Sequence, residues 1–482
     1  MKVKILSTVA ALSLAASMSF AGTLTVNDNN ISVEALVASA LTKEDVNFTI
    51  DGSVTYIPKD INAGSLSNPT LNIKVIGGVI PADTDGINLC TLDDTNTSVR
   101  VLTFDHVDTA NNQLVLKPDN ADTTMGNSLK YFLCDDNNAS LTAENGLTVT
   151  LDPKDTTSPV QMQFNLYSGD TQKLNDTATG IVGVKRNQIC MGVVTPLGAS
   201  IDPATGFVAF NATNTTTSDL CNGTTTTTSN YITTDTLVLG VRDTHDQFLA
   251  PIETYGVVAN VTPDTAIPLK SVSVTDNLQG NSGILSASST GITSETNVTD
   301  NTASVDYNIT MTLTVDGKSK INSTNFAVEM GVDVDNDKTI DVDDTKGLNG
   351  GNWAYKGTTV QIPYVVASGD TQTAIRLTNG QNVNADVYWN CTDDNGLTVP
   401  NFQVPAATLT DGGTYVPANG AAAWVAADIL SAAQAIDPNF APNGKMKCQP
   451  LVTSTSGVTG VTIMTIDGAR DRVIPSNTAI SN

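Results

Sequence analysis

Apolar and polar residues alternate along most of the chain. "VQMQF" from Val160, "DYNITMTLTV" from Asp306 and "NFAVEM" from Asn325 all repeat with a period of two. In the second of these, Tyr307, Ile309, Met311, Leu313 and Val315 fall on one face, as a half-buried strand requires. Similar runs occur at "LNIKVIGGVI", "SVRVLTFD", "NQLVLKP", "LKYFLCDD" and "GLTVTLD". Asn, Asp, Gly and Pro break them at intervals of about ten residues, the spacing of a sandwich or barrel. Asp51-Gly52 and Asp316-Gly317 carry hairpin chemistry. Helical spacing is confined to "ISVEALVASALT", with Ser32 as N-cap, and "AAWVAADILSAAQAID", stopped by Pro438. The predicted fold class is all-β: several Ig-like β-sandwich domains in tandem, with a few short helices.

Two phrases repeat. "VQMQFNLYSGDTQ" begins at Val160 and "VQIPYVVASGDTQ" at Val360, an offset of 200 residues. A cysteine follows each, Cys190 and Cys391. The match predicts a duplicated β-domain, with a period far too long for a solenoid. Length alone suggests about three domains. The pattern divides the chain into a leader at 1–21, an N-terminal β domain at 22–157 and a first repeat copy at 158–267. A β domain at 268–355 and a second copy at 356–482 complete the division.

The leader has Lys2 and Lys4, then an apolar run over residues 5–16, then small Ser19 and Ala21. That is a secretory signal with cleavage expected before Gly22. The run is short for a membrane span, and no later stretch is long enough. The expected location is therefore secreted, at the extracellular cell surface. In an exported chain, six cysteines read as disulfides. Sequential pairing within domains predicts Cys90–Cys134, Cys190–Cys221 and Cys391–Cys448. The formal charge of -25 makes nucleic acid an improbable partner and cations natural ones. Low charged (15%) and aromatic (5%) content, with Thr, Asn and Ser in their place, suits an exported β protein better than an enzyme. The Thr/Asn tract over residues 211–230 reads as an exposed loop.

"DVDNDKTIDVDD", residues 333–344, carries candidate chemistry. Calcium takes six to eight hard oxygens, and an EF-hand-type loop supplies them from positions 1, 3, 5, 7, 9 and 12. Those positions are Asp333, Asp335, Asp337, the Thr339 carbonyl, Asp341 and Asp344. Ile340 at position 8 would tie the loop to a core. Two departures stand out: Lys338 occupies the position that wants Gly, and Asp344 the one that wants Glu. The flanks read as strands, so the loop is expected at a domain edge, with Ca2+ serving architecture and not a switch.

Catalytic signals are sparse. The two histidines, His106 in "FDHVD" and His245 in "RDTHDQF", lack partner motifs. No nucleophile elbow, HExxH or P-loop occurs. The acid pairs Asp93-Asp94, Asp135-Asp136 and Asp393-Asp394 read as turns, and Trp389 in "DVYWNC" as core. No catalytic residue is predicted.

"IPYVVASGDTQTAIRLTNGQNVNADVYWNC", "TYVPANGAAAWVAADILSAA" and "VTGVTIMTID" together resemble the C-terminal part of proteobacterial S-layer and S-layer-like surface proteins. The resemblance implies calcium-dependent self-assembly into a lattice on lipopolysaccharide or another surface glycan. The cysteines depart from the usual S-layer pattern, which leaves an extracellular filament or matrix-fibre subunit as an alternative. An adhesin or carbohydrate-binding surface protein would need an exposed aromatic platform. A secreted hydrolase would need convergent acids or a histidine in a cleft.

Overall fold

The computed structural model describes residues 22–480 except 27–28, 51–53, 60–64, 94–95, 120–122, 127–128, 143–145, 169–173, 212–213, 220–223, 230, 250, 278–281, 300, 368–371, 443–444, 455–456, 467–468 and 474–475. The architecture is all-β apart from two α-helices and short 3-10 turns. Buried apolar residues gather in three cores, one after another along the chain.

The first core belongs to a ten-stranded sheet. Strand Val160–Ser168 shows how sequence builds it: Val160, Met162, Phe164 and Leu166 are buried while Gln161, Gln163 and Asn165 remain half-exposed. The sheet curls like a barrel. The N-terminal segment supplies both of its ends. Thr23–Thr25 pairs with Thr55–Ile57 at one end, and Asn29–Ser32 runs parallel to Leu174–Arg186 at the other. Thr23–Thr25 also touches Leu174–Arg186, so the chain between residues 22 and 32 forms the seam. Helix α1 (Val33–Thr42) follows directly, and its N-cap Ser32 accepts the Ala35 amide at 3.1 Å, as the sequence predicts.

The second core lies between a four-stranded and a six-stranded sheet. Every residue predicted on the inner face of Val305–Val315 is buried. Leu269–Asp276 edges one sheet and the next strand, Ser282–Ser288, edges the other, so the chain changes layers there.

The third core gathers residues from Val360 to Val458 and includes one face of helix α2 (Ala426–Ile436). Trp389 and Trp424 are fully buried in it and meet edge-on, with centroids 5.6 Å apart. The Cys391–Cys448 bridge joins directly paired residues there, and Cys90–Cys134 ties two neighbouring strands of the first unit. Cys221, the predicted partner of Cys190, lies outside the described residues.

Several expectations change. A boundary at 157/158 would cut the first sheet, because Val160–Ser168 is an interior strand paired with Pro69–Ile76 and Leu174–Arg186. A boundary at 267/268 would split the second sandwich, whose two sheets share one core. The two repeat phrases enter different pairings. Val160–Ser168 forms a hairpin with the strand after it, whereas Gly357–Val365 pairs with three strands far downstream. Most of each SGDTQ lies outside the described residues. Asp51-Gly52 lies outside the described residues, but the strands that flank it do not pair with each other, and those flanking Asp316-Gly317 do not either. Val46–Ile50 pairs with Leu147–Leu151 over five positions, and Thr55–Ile57 goes to another sheet. Val305–Val315 likewise pairs with Thr234–Asp243 and Leu269–Asp276 instead of the strand after it. A local turn signal yields where distant partners bury a longer apolar face. The predicted second helix is also shorter: its first residues, 422–425, belong to strand Ala421–Val425, which pairs with Gln372–Asn379.

The units are fastened by side chains. Glu34 is wholly buried at the start of α1 and accepts the Gln188 and Ile189 amides at 2.9 and 3.2 Å. Gln188 continues into the sandwich, donating to Asp243 and to the Ile252 carbonyl. At the other junction, Phe207 meets Tyr388 and Tyr355 edge-on, with centroids 4.6 and 5.3 Å apart. Phe207→Ala should therefore cost about 3–5 kcal/mol of stability. Denaturant titration should show the C-terminal unit unfolding separately from the sandwich, where the parent unfolds both together.

Candidate metal centre

The acidic loop leaves strand Thr324–Asp333 and returns as Val342–Tyr355, at the edge position expected of it. Both strands belong to the six-stranded sheet. Ile340 folds back over Gly331, where an added Cβ would collide with it. That contact ties the loop to the sheet.

Asp333 organises the turn and is wholly buried. Its Oδ1 accepts the amides of Asp335, Asn336 and Asp337 at 3.2, 2.7 and 3.3 Å, and its Oδ2 accepts the Lys338 amide at 2.6 Å. Asp335 Oδ1 accepts the Asp337 amide at 3.1 Å, and Asp337 Oδ1 the Thr339 amide at 2.9 Å. Asp341 Oδ2 accepts the Val334 amide at 2.9 Å and closes the loop. Lys338 stands at φ 75°, the left-handed conformation that favours Gly. The loop thus makes its sharp turn at the predicted position with an unfavourable residue.

Asp333, Asp335 and Asp341 each offer one oxygen, all within 4.8 Å of one another. This is a hard-oxygen donor set of the kind calcium takes. Asp337 and Thr339 are exposed on the same turn, and the Asp337 carboxylate does not join that cluster. The side chain of Asp344 lies outside the described residues.

Two groups escaped the sequence reading. Glu295 is buried at 5% exposure, and its carboxyl faces that of Asp333. Asn297 sits two residues on, with a buried Oδ1 that has no hydrogen-bond partner. Sheet register brings them in. Gly256 pairs with Asn297 on one side and Asp333 on the other. A Cβ there would lie 3.0 Å from Glu295 Oε1 and 3.2 Å from Asn297 Oδ1. No local spacing could have signalled a contribution from a strand about 40 residues upstream, because only the pairing creates it.

Burial, and then repulsion from Asp335, Asp333 and Asp337, pushes the Asp341 carboxyl above its ordinary value; the Val334 amide opposes this. Burial, and then the charge of Asp333, raises Glu295 in the same way, with Lys338 opposing. A bound cation would relieve the repulsion.

The other candidate residues lie apart from this loop. His106 is exposed beside Asp105, and His245 sits in a 3-10 turn. Asp135 and Asp393 accept amides of the turns they open, as predicted. Trp353, Trp389 and Trp424 are all fully buried, and Tyr231 is the one aromatic among the large hydrophobics exposed in the described residues. None of the three tryptophans offers a platform for sugars.

Fold and site together define a multi-unit β protein with an acidic edge loop and no assembled catalytic group among the described residues. A family model described as "S-layer protein Slr4" matches residues 119–414, more than half of the chain, and the chain belongs to that family. The match lies mostly upstream of the C-terminal phrases that carry the sequence resemblance. No curated protein matches. Among solved structures, the chain is similar to the C-terminal domain of the Streptococcus agalactiae AgI/II polypeptide BspA. That likeness has 11% identity and a TM-score of 0.18, covering 60% of this chain and 99% of that one. It is also similar to BcpA, the major pilin subunit of Bacillus cereus, at 10% identity and a TM-score of 0.21, covering 85% and 96%. At those scores the likenesses carry no argument.

Lys338→Gly should remove the left-handed strain, about 1–2 kcal/mol, against about 0.5–1 kcal/mol of added chain entropy. A net gain of roughly 0.5–1 kcal/mol in denaturant titration is expected. The pH response has a definite sign. Raised folded values for Asp341 and Glu295 give stability that is full below the ordinary 3.8 and 4.5 and is lost as pH rises through the raised values. Asp341→Asn should flatten the stability profile in that window, measured without calcium by thermal unfolding at stepped pH.

Proposed function

We propose that this protein is a structural subunit of a self-assembling S-layer on the extracellular cell surface, with calcium bound at the acidic edge loop. The family match over residues 119–414 carries this reading. Supporting it are the tandem β units, the side-chain fastening between them and the convergence of Asp333, Asp335 and Asp341. Calcium would rigidify the loop and offset repulsion within a chain of formal charge -25. An extracellular site of this kind binds weakly and stays filled in a calcium-rich medium. Two consecutive copies would present acidic edges to each other, and a divalent cation is the simplest group able to join them. Lipopolysaccharide or another surface glycan is the anchoring partner this reading favours.

Negative-stain electron microscopy of the purified mature protein tests the proposal. Ordered sheets in calcium that dissolve on chelation are expected. The triple variant Asp333→Asn, Asp335→Asn, Asp341→Asn should need at least tenfold more calcium to assemble. Monodisperse particles in both conditions would contradict assembly, while sheets indifferent to chelation would contradict the role of calcium alone.

A further inference from the structure

Gly22 is the residue that the leader pattern places first after cleavage, and its surroundings are specific. The Gly22 backbone nitrogen donates to Asp176 Oδ1 at 2.8 Å. Asp176 is 3% exposed on strand Leu174–Arg186. Its other oxygen accepts the Tyr56 hydroxyl at 2.6 Å and the Lys59 amide at 3.4 Å. Among the described residues no basic side chain pairs with it. A buried carboxylate with only neutral donors is costly, and a cation would resolve the cost. No side chain fits at position 22 either. A Cβ there would collide with Asp176 Oδ2 and lie 2.9 Å from the Ile57 carbonyl oxygen. The position is also structural, since Thr23–Thr25 begins the seam of the first unit.

We propose that leader removal creates the missing counter-ion: the new α-ammonium of Gly22 pairs with buried Asp176, and processing thereby completes the seam of the first β unit. The step is hydrolysis by a leader peptidase. Water adds across the Ala21–Gly22 peptide bond, its oxygen goes to the Ala21 carbonyl to make a carboxylate, and the Gly22 nitrogen becomes an ammonium at neutral pH. A peptide nitrogen offers Asp176 one neutral donor. The ammonium offers three donors and a full charge, which makes the bond charge-assisted and stronger. The groups facing the amine are Asp176, Tyr56 and the Lys59 amide, with Tyr131 behind Tyr56. Burial and then Asp176 push the Tyr56 hydroxyl well above its ordinary range, so it stays protonated and donates to Asp176. Precursor and mature chains would thus differ in how firmly the seam holds, independently of any lattice or calcium.

The test uses the secreted mature protein. N-terminal mass spectrometry should read Gly22 first. Acylation of the α-amine across pH, followed by peptide mass, should give a pKa at least about one unit above the ordinary 7.7–8.0 and labelling about tenfold slower than in the unfolded chain. Asp176→Asn should return both to ordinary values. A chain extended by one alanine at its N-terminus provides the same comparison should Asp176→Asn fail to fold, since its amine stands away from Asp176. The advantage of the mature over the extended chain should be full below the ordinary amine value and fade as pH rises through the raised one. A different first residue, an amine with ordinary titration, or a shifted amine indifferent to both variants would overturn the proposal.

Discussion

The structure depends on one buried carboxylate that belongs to two units at once. Glu34 stands at the first turn of α1, held by the Ser32 hydroxyl at 3.0 Å, yet its other partners are the amides that open the sandwich. Those amides belong to Gln188 and Ile189, where the chain leaves the first sheet and starts the second unit. Removing the carboxylate would leave two buried donors unpaired, at about 1–3 kcal/mol each. Burial raises the Glu34 carboxyl, and the donors around it work against that rise. The same helix divides its apolar residues. Leu36 enters the first core, while Val33, Ala35, Val37 and Ala38 pack against the second.

Joints of this kind couple neighbouring units of a multi-unit chain. The Gln188 side chain passes the contact on to Asp243, which also accepts from Tyr255 and Asn301 at 2.8 and 2.7 Å. The aromatic cluster around Phe207 does the same work at the C-terminal junction by packing. Stiffness is thus distributed over a polar joint, an apolar joint and two disulfides. The acidic loop lies on the sandwich and is stitched by its own amides.

What was legible in the sequence was local. Period-two faces, the Ser32 cap and the position of the loop's sharp turn all follow from short-range rules, and the structure shows each of them. Cys90–Cys134 and Cys391–Cys448 were also readable, because each pair lies within one unit. What escaped was non-local. The strands flanking the Asp-Gly dipeptides pair with partners far along the chain, and domain boundaries read from spacing fell inside a sheet and inside a shared core. Glu295 and Asn297 reach the acidic loop only through register across Gly256. Glu34 stands in the first turn of α1, where acids are ordinary, and nothing in its neighbourhood announces that its oxygens serve residues more than 150 positions away.

The most direct test of this account is hydrogen exchange, read by mass spectrometry, at the Gln188 and Ile189 amides in the parent and in Glu34→Ala. Both amides should be strongly protected in the parent. In the variant they should exchange faster by at least about tenfold, together with the seam strand Asn29–Ser32, while the C-terminal core keeps its protection. Unchanged protection at Gln188 and Ile189 would contradict the claim that Glu34 fastens the first unit to the second.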